Sequence, residues 1–166
     1  LYAAPVMIDY FKKMDIPNLT VVSPDVGGIK MARAYAKRLS AGLAICDKRR
    51  HGPTETEVIH IIGEVEGRNV LLVDDMIATG TSIVNAATAC KKNGALDVYI
   101  CATHPVLAGT AMEKLANSPV KEIIVTDSIP LGDKSLPNLK VLSVAELVGE
   151  AIRRIHKSES VSSLFL

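Results

Sequence analysis

Apolar positions along the chain follow two patterns that alternate. Stretches in which apolar residues recur every three or four positions are typical of helices, and short continuous apolar runs are typical of strands that are buried on both faces. The runs that predict strands are 19–22, 43–46, 57–62, 70–73, 98–102, 122–125 and 141–142. The alternation predicts an α/β fold with a mostly parallel sheet of about five strands flanked by helices, plus a small hairpin.

Two details of this pattern make specific predictions. The glycines at 63 and 67 predict a hairpin turn that returns strand 57–62 into strand 70–73. Near the end of the chain, apolar residues recur at helical spacing and predict a last helix. The residues predicted to face inward from this helix are Leu147, Val148, Ala151, Ile152 and Ile155.

Length, charge and cysteine content narrow the class of protein. A chain of 166 residues suits a single domain, 1–166, with a sizeable core. A formal net charge of +1 does not indicate a charged surface that binds a nucleic acid or a membrane. No apolar run is long enough to span a bilayer. Cys46, Cys90 and Cys101 are odd in number and lie among apolar residues, which favours reduced core thiols and a cytoplasmic protein.

The stretch 70–82, VLLVDDMIATGTS, carries the chemistry. Its strand ends on Asp74 and Asp75, at the edge of a parallel sheet where ligands bind. The turn that follows leads into a helix and offers backbone N–H groups and hydroxyls to an anion; its residues are Ala78, Thr79, Gly80, Thr81 and Ser82. We predict that the carboxylates accept hydrogen bonds from ribose hydroxyls and that the turn holds the 5-phosphate. The alternative is that the two acids only solvate a strand end.

Two further loops are candidate parts of the same site. Asp25, Gly27 and Gly28 follow strand 19–22, and the glycines permit either tight turning or the close approach of a ligand. The segment 47–55 is charged, lacks periodicity and predicts an exposed loop that contains Lys48, Arg49 and Arg50. Cations in a closing loop can stabilise a phosphoryl group in transfer, although charge runs are often merely solvated.

The stretch 70–82 resembles the phosphoribosyl pyrophosphate (PRPP) motif that phosphoribosyltransferases and PRPP synthetases share. The resemblance extends, in order and spacing, through SPDVGGIKMARAYAKRL, DKRR, THPVLAGTAMEKLANSPVKEIIVTDSIP and SVSSLF. This ordered set is similar to the C-terminal half of the ribose-phosphate diphosphokinase family, the PRPP synthetases, and covers nearly the whole chain.

The resemblance implies a fold of the type I phosphoribosyltransferase kind and a specific reaction. ATP and ribose 5-phosphate give PRPP and AMP when the anomeric hydroxyl attacks the β-phosphorus, with Mg²⁺ required. It further implies a homo-oligomer, a dimer or hexamer, and an N-terminal half that supplies the adenine contacts and a metal-binding histidine. We therefore expect this chain alone not to turn over.

The resemblance also implies residue roles. Lys48 and Arg50 would be the catalytic cations, with Arg49 less clearly placed. Asp25 would assist Mg²⁺ or the ribose beside Gly27 and Gly28. Asp74 and Asp75 would contact the ribose, and residues 78–82 would contact the 5-phosphate. Ser160 and Ser162 would help to bind a regulatory phosphate, although serines are commonplace in chain termini.

One departure from the family pattern keeps other functions open. Ala78 stands where synthetases usually carry Asp, so an acid is missing and the turn looks more like that of a transferase. The alternatives are a phosphoribosyltransferase that consumes PRPP and a non-catalytic subunit associated with a synthetase. His104 is expected to be structural, and no histidine has a second ligand at the spacing of a zinc site.

Overall fold

Seven strands form one sheet in the computed structural model, which describes residues 1–49 and 58–165 apart from the side chains of Lys48, Arg49 and Val58. The strands are β1 (Leu19–Ser23), β2 (Gly42–Arg49), β3 (Val58–Ile62), β4 (Asn69–Met76), β5 (Val98–His104), β6 (Glu122–Thr126) and β7 (Leu139–Leu142). The helices are α1 (Ala4–Met14), α2 (Ile29–Leu39), α3 (Thr81–Lys92), α4 (Ala111–Ala116) and α5 (Ala145–His156), followed by a 3₁₀ turn, Ser162–Phe165.

The strand order across the sheet is β3-β2-β1-β4-β5-β6-β7. All neighbours are parallel except β3, which is antiparallel to β2. The predicted α/β class with a mostly parallel sheet is confirmed. The sheet is wider than the five strands expected, because β7 and the hairpin strand β3 join its two edges.

The predicted position of the hairpin is wrong. β3 pairs with β2, with Ile62 opposite Ile45, so the chain after β3 crosses β2 and β1 to reach β4. The pattern of apolar residues identifies a strand but does not say which strand is its partner.

The predicted start of the charged loop is also wrong, because β2 continues through Arg49 and Lys48 is paired with Ile59. A strand near the edge of a sheet tolerates polar residues that a central parallel strand does not. The rest of that loop, including Arg50, lies outside the described residues.

The centre of the sheet is buried on both faces. In β4, Leu71 and Val73 pack with α1 and α2, whereas Val70 and Leu72 pack with α3 and α4. Leu71 and Leu72 have no exposed surface, and burial of each contributes about 1.5–3 kcal/mol. This two-sided burial explains why β4 is a continuous apolar run.

The strand order reverses between β1 and β4. From β1 the chain proceeds to β2 on one side, and from β4 it proceeds to β5 on the other. The helices that follow these two strands pack on opposite faces of the sheet, since α2 and α3 belong to different core clusters. The loops after β1 and β4 therefore diverge and leave a crevice at the carboxyl edge of the sheet, the usual position of a ligand in such folds.

The apolar stripe of α5 differs from the prediction. Ala151 is buried and Leu147 is half-buried, but Val148, Ile152 and Ile155 are 42%, 62% and 67% exposed. Helical spacing predicts that residues share a face, and it does not tell whether the same chain covers that face.

The three cysteines, all within the described ranges, are buried and form no disulfide, as predicted. None of the helices in the described ranges is long and apolar enough to cross a bilayer.

Gly63 fixes the end of the hairpin, and its replacement by alanine should destabilise the fold. Its φ is +115°, and a Cβ there would lie 2.8 Å from the Leu43 carbonyl oxygen. Gly67 also has a positive φ, +65°, but nothing lies within 4 Å of its Cβ position. Chemical denaturation should show a loss of roughly 1–2 kcal/mol for Gly67→Ala from backbone strain alone and a clearly larger loss for Gly63→Ala. Equal losses would contradict the close contact with β2.

Candidate functional site

Asp74 and Asp75 mark the point at which β4 leaves the core. Val73 is 1% exposed, Asp74 is half-buried and Asp75 is exposed. The backbone N–H of Asp75 donates a hydrogen bond to Asp74 Oδ1 at 2.9 Å. The strand thus delivers two adjacent carboxylates to the crevice, one of them held in place by the backbone.

The environment of Asp74 raises its pKa from 3.8 to about 6. Burial of the carboxyl is the largest cause, and the negative charges of Asp75 and Asp25 add to it. Asp25 lies in the loop after β1, so the crevice gathers carboxylates from both of its walls. An ionised Asp74 would be stabilised by a cation or by hydroxyl donors from a ligand.

The turn after Asp75 surrounds a small cavity of about 160 Å³. Gly80 is the N-cap of α3 and has a φ of +74°, a conformation that favours glycine. The residues that line the cavity are Asp74, Met76, Ile77, Ala78, Thr79, Gly80, Thr81, Ser82 and Ile83. The structure therefore brings all five predicted phosphate-turn residues, 78–82, to one cavity beside Asp74. Their role as ligands stays a prediction.

The loop after β5 holds this turn in shape. Ile77 N–H donates to the His104 carbonyl oxygen at 3.0 Å, and Leu107 N–H donates back to the Ile77 carbonyl oxygen at 2.9 Å. Ala108 N–H donates to the Ala78 carbonyl oxygen at 2.9 Å. A turn fixed in this way needs little ordering when a ligand binds.

Lys114 is a cation at the cavity that the sequence analysis missed. Its Nζ donates to Thr81 Oγ1 at 2.8 Å and to the Thr79 carbonyl oxygen at 3.3 Å. The Thr79 and Thr81 hydroxyl oxygens are themselves 3.3 Å apart. Lys114 lies on α4, more than thirty positions from either threonine, and only the order of strands brings α4 to the start of α3.

The loop after β1 is shaped by crowding around Asp25. Ser23 Oγ donates to the Asp25 carbonyl oxygen at 2.6 Å, and Gly28 N–H donates to Asp25 Oδ1 at 3.0 Å. A Cβ on Gly28 would lie 2.7 Å from Ser23 Oγ, and one on Gly27 would lie 3.2 Å from Asp25 Oδ1. The glycines thus permit a tight turn around the Asp25 carboxylate.

The carboxylates of the crevice supply only some of the ligands that a hard cation such as Mg²⁺ needs. Among the described residues, no cluster of three or more His, Cys, Asp or Glu side chains could hold a metal ion. Mg²⁺, however, commonly binds through one or two carboxylates and takes its other oxygens from water and phosphates. Asp25, Asp74 and Asp75 offer such oxygens, so the donor set fits Mg²⁺ bound together with a phosphorylated ligand.

The remaining predicted residues include Arg50, two serines of the C-terminal tail and His104. Arg50 is outside the described residues. Ser160 and Ser162 lie in the C-terminal tail, where their hydroxyl oxygens are 3.2 Å apart and Arg154 Nη1 donates to the Ser160 carbonyl oxygen at 3.0 Å. His104 Nδ1 is 2.9 Å from Ser128 Oγ, and this contact joins β5 to the turn after β6, as a structural histidine would.

Comparison with solved structures places the fold among α/β domains of the phosphoribosyltransferase type. The adenine phosphoribosyl transferase of Trypanosoma brucei matches with a TM-score of 0.59 at 18% identity, over 89% of this chain and 74% of that one. The phosphoribosylpyrophosphate synthetase of Mycobacterium smegmatis matches with a TM-score of 0.87 at 36% identity, over 94% of this chain and 51% of that one.

Sequence comparison then identifies the family. A family model described as "Phosphoribosyl synthetase-associated domain" matches residues 47–166, and the chain belongs to that family. The ribose-phosphate pyrophosphokinase of Gloeobacter violaceus is 48% identical over 167 aligned positions, which cover 99% of this chain and 50% of the relative. The chain thus spans about half the length of the curated relatives it matches.

Asp74 should make the ligand-free fold less stable at alkaline pH than at acid pH. Its pKa is raised in the folded state, so the stability that its proton contributes is present below about pH 4 and is lost as the pH rises through about 6. Asp74→Asn removes the charge and keeps the acceptor for Asp75 N–H. In a chelating buffer its unfolding temperature should exceed that of the native chain at about pH 8, with the difference shrinking towards about pH 4.

The matched control for this experiment is Asp133→Asn, at an exposed carboxyl far along the chain. It should show no such pH-dependent gain. An equal effect of Asp74→Asn at both pH values would contradict the buried, charge-crowded environment of Asp74.

Proposed function

We propose that this chain is the C-terminal, ribose 5-phosphate-binding half of a ribose-phosphate diphosphokinase. In the reaction, the anomeric hydroxyl of ribose 5-phosphate attacks the β-phosphorus of ATP, the diphosphoryl group moves to the sugar, and AMP leaves. The observation that carries the proposal is the pair Asp74 and Asp75 beside a preformed cavity, in a chain 48% identical to a ribose-phosphate pyrophosphokinase.

The size and chemistry of the cavity support a phosphate ester as ligand. A volume of about 160 Å³ accepts a phosphate group, whereas pockets for larger small molecules measure roughly 300–1,000 Å³. α3 begins at the cavity, and the first turn of a helix offers backbone N–H groups to an anion, while Thr79 and Thr81 carry hydroxyl groups at the same place. A 5-phosphate bound there would leave the ribose hydroxyls within reach of Asp74 and Asp75.

Asp25 is the proposed protein ligand of Mg²⁺. The ion would supply positive charge to the phosphate oxygens of the substrate. Asp25 is suited to hold it because Gly28 N–H fixes its Oδ1 and because its charge already acts on Asp74.

Lys48 and Arg50 are the proposed catalytic cations. β2 is parallel to β1, with Ile45 opposite Ser23, the last residue of β1. Lys48 comes three positions later, so the backbone of β2 extends roughly 10 Å beyond the end of β1, on the side where Asp25 lies. A segment that starts there begins next to the crevice, as residues that neutralise a migrating diphosphate require.

The proposed enzyme is complete only when this chain assembles with a partner segment and with further chains. The unmatched half of the relatives corresponds to a partner segment that would bring the ATP-binding contacts, and a homo-oligomer, a dimer or hexamer, would bring further chains. The exposed residues Val148, Ile152 and Ile155 of α5 support a covered surface in such an assembly. The 166-residue chain alone is then inactive.

A non-catalytic, synthetase-associated subunit is the second candidate. The family description and the absence of an acid at Ala78 favour it. The segment that begins at Lys48 argues against it, because a subunit that only senses a ligand does not need transition-state cations. A phosphoribosyltransferase is less well supported, since its solved representatives share the fold at identities of 24% or less.

A chimera separates these candidates. The half of the Gloeobacter violaceus relative that this chain matches is replaced by residues 1–166, and formation of AMP and PRPP from ATP and ribose 5-phosphate is measured. We expect activity in the chimera and none in the 166-residue chain alone. A folded chimera that binds ribose 5-phosphate without forming AMP would instead support the non-catalytic subunit.

Lys48→Ala in the same chimera should lower kcat roughly 100-fold or more, because one cation is lost from the transition state. The KM for ribose 5-phosphate should change less than about two-fold, since Lys48 is not assigned to ground-state binding. Lys37→Ala, at an exposed position of α2, is the control and should leave both constants unchanged. A kcat unaffected by Lys48→Ala would refute the proposed role.

A further inference from the structure

Lys114 makes contacts that the proposed reaction does not by itself explain. It is half-buried on α4, and its ammonium group reaches across to the first residues of α3. No Lys or Arg occurs among the described residues that line the cavity, so Lys114 brings a positive side chain to its wall from outside.

The contacts of Lys114 restrict the direction of the Thr81 hydroxyl group. Because the ammonium donates to Thr81 Oγ1 at 2.8 Å, one lone pair of that oxygen is occupied and the hydroxyl hydrogen must point away from Lys114. The Thr79 carbonyl oxygen accepts a second hydrogen bond from the same ammonium, at 3.3 Å. An ammonium has three N–H donors, so one more can turn towards a ligand in the cavity.

The carboxylates around the crevice disfavour the binding of a further negative charge unless a cation lies nearby. Asp74, Asp75 and Asp25 place negative charge on the ribose side, and a phosphate ester would add more within a few ångströms. The α3 dipole offsets about half a charge at most. Lys114, which is hydrogen-bonded to Thr81 and not to the carboxylates, would balance the charge of a bound phosphate without neutralising the carboxylates that are to accept hydroxyl donors.

From this arrangement we infer that Lys114 is a positioning residue for the 5-phosphate of the sugar: it orients the Thr81 hydroxyl as a donor and supplies the compensating charge at the cavity wall. The inference rests on the proposed function and adds to it a residue from a separate helix. Because Lys114 lies on the phosphate side, it acts on substrate binding and not on transfer of the diphosphoryl group.

Calorimetric titration with ribose 5-phosphate tests this role in the native chain, Lys114→Met, Lys114→Arg and Lys92→Met. We expect roughly ten-fold or greater loss of affinity in Lys114→Met, because a charge-assisted hydrogen bond is lost. Arginine keeps the charge and the donors, so Lys114→Arg should lose less than about three-fold. Lys92→Met changes an exposed lysine at the far end of α3 and should bind as the native chain does.

Two further readouts separate this role from a purely structural one. Lys114→Met should unfold in a single cooperative transition, so that its loss of affinity is not a loss of the fold. In the chimera, its KM for ribose 5-phosphate should rise by the same factor as the dissociation constant, with kcat and the KM for ATP unchanged.

The inference is overturned if Lys114→Met binds ribose 5-phosphate as tightly as the native chain, or if Lys114→Arg is as weak as Lys114→Met. Either result leaves the proposed function standing, because native binding persists. If the native chain itself binds no ribose 5-phosphate, the proposed function fails and the inference fails with it.

Discussion

Burial of β4 on both faces fixes the position of the site. Val70 to Val73 alternate between two core clusters, so the register of the strand cannot shift by one residue without exchanging the faces of every side chain. Asp74 is the first residue beyond this buried stretch, and it is therefore held at the edge of the sheet. The reversal of strand order between β1 and β4 opens the crevice at that same edge, so packing alone brings the carboxylates to the crevice.

The site contains two environments a few residues apart, one that disfavours a negative charge and one that favours it. Asp74 is destabilised as an anion by burial and by its neighbours Asp75 and Asp25. The turn at Thr79 to Thr81 is favourable for an anion because of the helix terminus and Lys114. A sugar phosphate has the matching polarity, since its hydroxyls donate hydrogen bonds and its ester group accepts them. Neither inorganic phosphate nor a neutral sugar alone would satisfy both sides.

Local sequence patterns predicted the parts of this arrangement that local chemistry determines. The apolar run, the two acids and the small-residue turn are contiguous in the chain, so their order sufficed to predict a strand, its end and a helix start. The partner of β3 was not predictable in this way, because an apolar strand pairs equally well with β2 or β4 until the whole sheet is assembled. Lys114 was missed for the same reason, since its contact with Thr81 depends on the packing of α4 beside α3.

The exposed apolar face of α5 shows a second limit of prediction from sequence. Helical spacing correctly grouped Val148, Ile152 and Ile155 on one face, yet these side chains remain exposed in this chain. An amphipathic pattern shows that apolar residues share one face of a helix, and it carries no information about whether another part of the same chain covers that face.

Ala78 changes the balance between the two sides of the site. The resemblance to the synthetase family places an acid at this position, and a carboxylate there would lie on the wall of the cavity that Asp74 also lines. It would oppose the phosphate and disfavour ionisation of Asp74, while offering one more oxygen to a metal or a hydroxyl. With alanine, the cavity wall lacks that oxygen, and the charge of Lys114 beside Thr81 would act on a bound phosphate without a competing carboxylate. If the proposed function holds, alanine at this position would favour binding of the ester group over contacts to the ribose or to a metal, and would lower turnover more than affinity.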